Sequence, residues 1–151
     1  MANLDLYPSV EFLHAAARKK LPKFSLDYVE GGTGLETGLK RNRDALDAVT
    51  IAPKYINEWP SLDTQVDLFG HKFSLPFGIA PMGLASLQWP KAELIFAEAA
   101  KDANIPVGLS TSCTVDIEEF GAVAGEHGWF QLYPPQDENI NDDLIERAKR
   151  S

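Results

Sequence analysis

Three clusters of small, polar or phenolic residues each lie at or just after the end of a short apolar run. The clusters are Ala80-Pro81-Met82-Gly83 at FGIAP (77–81), Ser110-Thr111-Ser112 at VGLS (107–110), and Gln131 with Tyr133 in WFQLY (129–133). Small residues let a flat ligand approach the backbone, hydroxyls both donate and accept, and a carboxamide is complementary to an imide edge. Together these residue types predict one wall of a pocket for a planar heteroaromatic ring.

The same residues also have a purely structural interpretation. Gly83 could simply turn the chain, and Ser110 and Thr111 could cap backbone groups, as hydroxyl residues commonly do in loops. Gln131 could pair with a neighbouring strand. Spacing along the chain leaves both interpretations open.

The clusters form one site only if the apolar runs are parallel strands. Helical patterns alternate with the runs, over Pro90–Asp102, Asp116–Ala124 and about 141–150. Parallel strands need such crossovers, and their ligands bind outside the carboxyl ends of the strands. The predicted class is therefore α/β. Pro90 suits the first position of its helix, and Asp116 with Glu119 has capping-box spacing.

The first half of the chain has a different pattern. Helical spacing is predicted over Ser9–Leu21, Phe24–Val29 and Leu35–Leu46, followed by a hairpin whose two-residue turn is Gly70-His71, of type II′. We therefore expect a helical extension and hairpin over residues 1–75 and strand-helix units over 76–151.

Composition excludes several function classes. The chain has 151 residues, 44% of them hydrophobic, and a net charge of −8, which is the wrong sign for a nucleic-acid binder. The single Cys113 excludes an internal disulfide and a cysteine-ligated zinc site, and no metal site is expected. No apolar run approaches the length of a membrane span, so a cytoplasmic protein without an integral membrane segment is expected. The Gly31–Gly34 segment lacks the spacing of a phosphate-binding loop.

Ionisable residues give no catalytic pattern of their own. His14, His71 and His127 have no acidic or nucleophilic neighbour in the sequence, and we expect them to be solvated or structural. Glu118 and Glu119 point to different helix faces, so they do not form a carboxylate pair for acid-base chemistry.

Eight segments in one order resemble the amino-terminal part of a known family. They are KLPKFSLDYVEGG (20–32), LKRNRDAL (39–46), LFG (68–70), LPFGIAP (75–81), P-x-x-E (90–93), LSTSCTVDIEE (109–119), WFQLY (129–133) and LIERA (144–148). The family is that of the FMN-dependent 2-hydroxy acid dehydrogenases and oxidases, which includes flavin lactate dehydrogenases, glycolate oxidases and mandelate dehydrogenases.

The resemblance implies the amino-terminal part of a TIM (β/α)₈ barrel, with about three strand-helix units, and FMN as cofactor. It implies that a small 2-hydroxy acid such as L-lactate, of (S) configuration, is oxidised to a 2-oxo acid. Carried over by motif, the flavin contacts are Ala80, Pro81, Met82, Ser110 and Gln131, with Gln131 at the pyrimidine edge. Tyr133 would be catalytic, between flavin and substrate, and Tyr28 would hold the substrate carboxylate. Met82 stands where the family commonly has Thr.

The resemblance also implies what this sequence lacks. The family's catalytic histidine, the arginine for the substrate carboxylate and the phosphate-binding segment belong to its second half. We therefore expect a truncated enzyme, inactive by itself, whose missing carboxyl-terminal half is a partner. The alternatives are a non-catalytic fragment that associates with itself or another chain through an exposed sheet edge, and a related FMN barrel that isomerises a diphosphate. LDYVEGG and WFQLY argue against the isomerase. The exact substrate, the electron acceptor and the oligomeric state stay open.

Overall fold

The structure is a computed structural model that describes residues 6–56 and 61–151. The chain divides into two compact units, Met1–Trp59 and Pro60–Ser151. The hairpin belongs to the second unit, together with the strand-helix units that follow it.

The first unit contains the three predicted helices. They are α1 (Val10–Arg18), α2 (Lys23–Glu30) and α3 (Thr37–Asp47). The Glu30 carboxylate joins the end of α2 to α1, because it lies 2.6 Å from His14 Nε2 and 3.1 Å from Arg18 Nη2. This contact agrees with a structural role for His14, although no pattern in the sequence indicates an acidic partner.

The second unit begins with the predicted hairpin, but the turn is shifted by one residue. The strands are β1 (Val66–Leu68) and β2 (His71–Phe73). Because Leu68 pairs with His71, the turn residues are Phe69 and Gly70, at φ +54° and +86°. The prediction of a type II′ turn at Gly70-His71 is therefore wrong. Two positive φ values are typical of type I′, whose twist matches that of the strands.

Two of the three predicted parallel strands are confirmed. They are β3 (Val107–Ser110) and β4 (Gly128–Gln131), which pair in parallel. The run at 77–81 forms only an isolated parallel bridge between Ile79 and Val107, so the prediction of a full strand there is wrong. Ile79 donates to Pro106 O and accepts from Gly108 N–H, both at 2.8 Å. Pro81 has no N–H, so it cannot donate to a longer ladder.

Three helices follow the apolar runs, as predicted. They are α4 (Ala92–Ala103), α5 (Ile117–Ala124) and α6 (Glu138–Arg150). Two details differ. Lys91, at φ +57°, is the N-cap of α4, so Pro90 lies outside the helix. The Asp116 side chain makes no capping hydrogen bond and Glu119 instead contacts Lys91 Nζ at 2.9 Å, so the predicted capping box does not form.

The core lies between the β3–β4 sheet and the helices α4 and α5. It consists of Ala97, Ala100, Ile105, Val107, Leu109, Ile117, Phe120 and Ala124. Burial of these side chains holds the strands against the helices and leaves the opposite face of the sheet to form a site. No helix among the described residues has the length and apolarity to cross a bilayer.

Candidate functional site

The three predicted clusters lie at one edge of the second unit. Ser110 and Gln131 are paired at the ends of β3 and β4. The segment that carries Pro81 lies on the other side of β3, through the bridge at Ile79. Beyond it, the Leu84 N–H donates to Ser112 O at 2.8 Å. The parallel pairing therefore brings all three clusters to the carboxyl ends of neighbouring segments.

Side-chain alternation sets which residues face the site. Along β3, Val107 and Leu109 are buried in the core, so the intervening Gly108 faces away from the helices. The residues that pair with Gly108 and Ser110 are Trp129 and Gln131, and paired residues of a sheet share a face. One face of the sheet thus carries glycine, hydroxyl and carboxamide groups at its carboxyl end.

A cavity of about 390 Å³ opens on this face. Of the predicted site residues, Ala80, Pro81 and Gln131 line it. Most of the remaining lining is apolar or glycine: Leu68, Pro76, Phe77, Gly78, Ile79, Pro106, Val107, Gly108, Trp129 and Phe130. Met82, Ser110 and Tyr133 are not part of this lining, so the structure brings together three of the six predicted residues of this unit around the cavity itself.

Gly108 makes the close approach of Pro81 possible. A Cβ atom at Gly108 would lie 2.7 Å from Pro81 Cδ and 2.9 Å from its backbone nitrogen. Such distances are well inside van der Waals contact, so a side chain would displace the segment. A glycine inside an apolar run, as in VGLS, is a sequence signal for such an approach.

The two carboxyl-end hydroxyls make local hydrogen bonds. Ser110 is only 1% exposed, and its Oγ accepts a hydrogen bond from the Ser112 N–H at 3.2 Å. Thr111 Oγ1 donates to Gln131 O at 2.6 Å and accepts from the Tyr133 N–H at 2.9 Å. The structural interpretation of both residues is therefore observed. Ser110 keeps its own O–H as a donor, because a hydroxyl accepts and donates independently.

The other predicted residues are more exposed. Met82 is 44% exposed and Tyr133 is 56% exposed. Tyr28 is 54% exposed and lies on α2 in the first unit, so it is not part of the geometry of the second unit. The roles of these side chains stay predictions.

Glu93, the Glu of the P-x-x-E segment, is a buried carboxylate to which the sequence assigns no role. It is 4% exposed and accepts hydrogen bonds from Ser86 Oγ, Thr114 N (3.2 Å) and Thr114 Oγ1 (3.1 Å). Burial raises the pKa of Glu93, but the hydrogen bonds from Ser86 and Thr114 and from the backbone outweigh burial and hold this pKa below its ordinary value. The ionised carboxylate links the loops that follow the first two apolar runs.

The histidines of the second unit lie at the opposite end of the strands. His127 Nε2 is 3.1 Å from Asn104 Oδ1, and His71 Nδ1 is 3.5 Å from Glu126 Oε2. Asn104 precedes β3 and His127 precedes β4, so both lie at the amino ends of the strands. These contacts agree with a structural role. In the described part of the chain, no group of three or more potential metal ligands of the His, Cys, Asp or Glu type comes together.

Comparison with known proteins identifies the family. The FMN-dependent dehydrogenase family matches residues 17–151. The chain belongs to this family. The match includes both parallel strands, all three helices that follow the apolar runs, and every predicted site residue.

Relatives with assigned activities cover nearly the whole chain. A 4-hydroxymandelate oxidase from Amycolatopsis orientalis is 39% identical over 143 residues, which is 95% of this chain and 40% of that protein. An L-lactate dehydrogenase from Vibrio parahaemolyticus is 36% identical over 89% of this chain and 36% of its own length. A 2-hydroxyacid oxidase from Dictyostelium discoideum is 32% identical over 147 residues, which is 97% of this chain and 38% of that protein.

Solved structures agree with the fold as well. The crystal structure of mandelate oxidase matches with a TM-score of 0.88 and 39% identity, over 95% of this chain and 42% of that one. The same enzyme with benzoyl-formic acid gives the same TM-score. The chain is thus a mixed α/β protein with the strand-helix units of mandelate oxidase, and it spans about two fifths of the relatives it matches.

The site fits the ring of the family's cofactor better than its phosphate. Gln131 lines the cavity, and no other described residue hydrogen-bonds its side-chain carboxamide, so a donor and an acceptor are free for an imide edge. Ala80, Pro81 and Gly108 are small enough for a flat ring to lie against the backbone. Among the described residues no Lys or Arg lines the cavity, so this lining provides no cation for a phosphate.

Proposed function

We propose that this chain forms the flavin-facing part of an FMN-dependent enzyme that oxidises (S)-2-hydroxy acids, such as L-lactate, to 2-oxo acids. In this proposal the second unit supplies the first strand-helix units of a (β/α)₈ barrel in the cytoplasm. The family match and the mandelate oxidase and lactate dehydrogenase relatives support it. The observation that carries it is the free Gln131 carboxamide beside Ala80 and Pro81 at one cavity.

The residues at the carboxyl ends would hold the ring. The Gln131 carboxamide would pair with the pyrimidine edge, and the backbone of Ala80 and Pro81 would lie against the ring plane. Ser110 has a free O–H that could donate to the ring, and Met82 would contribute its backbone. When bound, FMN accepts two electrons from the carbon that carries the substrate hydroxyl.

The phenols are proposed to orient the substrate. Tyr133 lies just past β4, close along the chain to Gln131, so its O–H could donate to a 2-hydroxy acid above the ring. Tyr28 is proposed, on the family resemblance alone, to donate to the substrate carboxylate. Such donors gain strength in a site that excludes water. Tyr133 is 56% exposed here, so this chain alone does not exclude water around it.

We propose further that the 151 residues do not turn over substrate by themselves. Oxidation releases the proton of the substrate hydroxyl, and a base must take it. His71 and His127 lie at the amino ends of the strands, and Glu93 is engaged by Ser86 and Thr114. The part of the chain that the structure describes also places no Lys or Arg in the cavity lining to pair with the carboxylate. Residues that match the remaining three fifths of the relatives would have to supply these groups.

A second candidate function is association with another chain or a second copy, without catalysis. The exposed apolar residues around the site favour it, with Phe77 at 59% and Trp129 at 42% exposure. Such a face can be covered by another polypeptide as well as by a ligand. Retention of flavin distinguishes the two candidates, because only the first requires it.

Titration of FMN fluorescence with the purified chain tests the proposal. We expect saturable quenching, and a loss of affinity of about tenfold in Gln131→Leu, which removes the hydrogen-bonding groups of one carboxamide. Glu98→Gln, on the exposed surface of α4, is the control and should bind like the unmodified chain. A folded chain that quenches nothing, or quenches equally with Gln131→Leu, would contradict the flavin assignment.

A further inference from the structure

The Thr111 hydroxyl joins two segments that are distant in sequence. Its Oγ1 donates to Gln131 O at 2.6 Å and accepts from the Tyr133 N–H at 2.9 Å. The Thr111 N–H also donates to Gln131 O, at 3.0 Å. The loop after β3 is thus tied to the last residue of β4 and to the residue two positions beyond it.

These bonds continue the sheet past the point where the strands end. The β3–β4 ladder stops at the pair Ser110 and Gln131. Beyond this pair, the Thr111 side chain replaces the next pair of backbone hydrogen bonds. Its Oγ1 atom bridges the Gln131 carbonyl and the Tyr133 N–H, which belong to the same neighbouring segment. The Gln131 carbonyl receives two donors, which is its full capacity. The backbone at Gln131 is therefore held while its carboxamide remains free.

We infer that Thr111 is a positioning residue for Gln131 and Tyr133. It does not touch the cavity, and it acts by holding the backbone from which these two side chains project. Its effect on ligand binding rests on the proposed function, whereas its effect on the backbone does not. The Thr111 hydroxyl is half-buried, and it makes one hydrogen bond as a donor and one as an acceptor.

The hydroxyl, and not the shape of the side chain, should carry this role. Thr111→Val keeps the branched volume and removes both side-chain hydrogen bonds, which leaves the Tyr133 N–H without its partner. Thr111→Ser keeps the hydroxyl and removes only a methyl group. The two variants therefore separate positioning from packing.

Amide hydrogen exchange measured by NMR on the whole chain tests this inference. In Thr111→Val the Tyr133 amide should exchange about tenfold faster, which corresponds to the loss of one hydrogen bond. Thr111→Ser should stay within about twofold of the unmodified chain, because its hydroxyl rescues the bond. The amides of Leu109 and Phe130, inside the ladder, should be unchanged in both variants. If Thr111→Val does not fold, Thr111→Ala replaces it with the same expectation.

FMN titration of the same variants provides the second readout. We expect about tenfold weaker binding in Thr111→Val and nearly unchanged binding in Thr111→Ser. Wild-type protection of the Tyr133 amide in the variant without a hydroxyl would overturn the inference, and so would loss of protection in Thr111→Ser. If the unmodified chain binds no FMN, the proposed function fails, and the exchange data still decide the role of Thr111.

Discussion

The buried carboxylate of Glu93 gives the sharpest test of how the loops at the site are held. Glu93→Ala removes the acceptor of three hydrogen bonds, from the Ser86 hydroxyl and from the N–H and hydroxyl of Thr114. Glu93→Gln keeps the shape and one carbonyl oxygen but removes the charge. Both changes leave the cavity lining intact.

The magnitude follows from the contacts. A hydrogen bond to a charged group contributes about 1.5–3 kcal/mol to stability. Thr114 is exposed, so water can replace part of the hydrogen bonding that Thr114 loses when the Glu93 carboxylate is removed. The free energy of unfolding should therefore fall by about 3 kcal/mol in Glu93→Ala. Glu93→Gln should cost about 1 kcal/mol, because neutral hydrogen bonds are roughly half as strong as charge-assisted ones.

Urea unfolding followed by circular dichroism measures these differences. Glu98→Ala is the matched control, because Glu98 lies on the same helix and is exposed, and its change should stay within about 0.5 kcal/mol. Equal stability of the Glu93→Ala and Glu98→Ala variants would refute the reasoning. So would a Glu93→Gln variant as unstable as Glu93→Ala.

Two further predictions concern the ion pair between Glu118 and Arg147 and the close approach at Gly108. The two hydrogen bonds from Arg147 hold the pKa of Glu118 at about 2, so this pair stabilises the fold above the ordinary pKa of a glutamate, and its contribution is lost as the pH falls toward 2. The difference in melting temperature between the unmodified chain and Glu118→Gln should thus shrink on acidification, and a constant difference would contradict this. Gly108→Ala should lower the free energy of unfolding by about 1–3 kcal/mol in chemical denaturation, because the added Cβ would meet Pro81. Gly38→Ala is the control and should not lower it, because Gly38 lies on α3 with open space around it. Equal effects of the two substitutions would contradict the close approach of Pro81 to Gly108.

The sequence predicted the helices and the parallel strands β3 and β4, but it misplaced the hairpin turn and overestimated the strand at 77–81. VGLS and WFQLY identified β3 and β4 because short apolar runs between helical patterns are typical of buried parallel strands. The hairpin turn was misplaced because Gly70 was recognisable as a turn residue, while the positive φ of Phe69 has no signature in the sequence. The run at 77–81 lacks a full ladder because Pro81 cannot donate.

The candidate site shows where sequence reasoning stops. That Pro81 and Gln131 would lie at one edge followed from strand topology, a general property of parallel sheets. The contacts of Glu93 with Thr114, and of Thr111 with Tyr133, join residues about twenty positions apart. The sequence marks these residues as parts of motifs, but no local pattern predicts which of them contact each other, so only the folded structure identifies the contacts.

Mapping FMN-induced shifts of the backbone amides by NMR tests the central claim most directly. The account predicts that addition of FMN shifts the amides of residues that line the cavity, including Ala80, Gly108 and Gln131. Amides at the amino ends, such as Asn104 and His127, should not move. Shifts confined to the amino ends, or no shift in a folded chain at saturating FMN, would contradict the account.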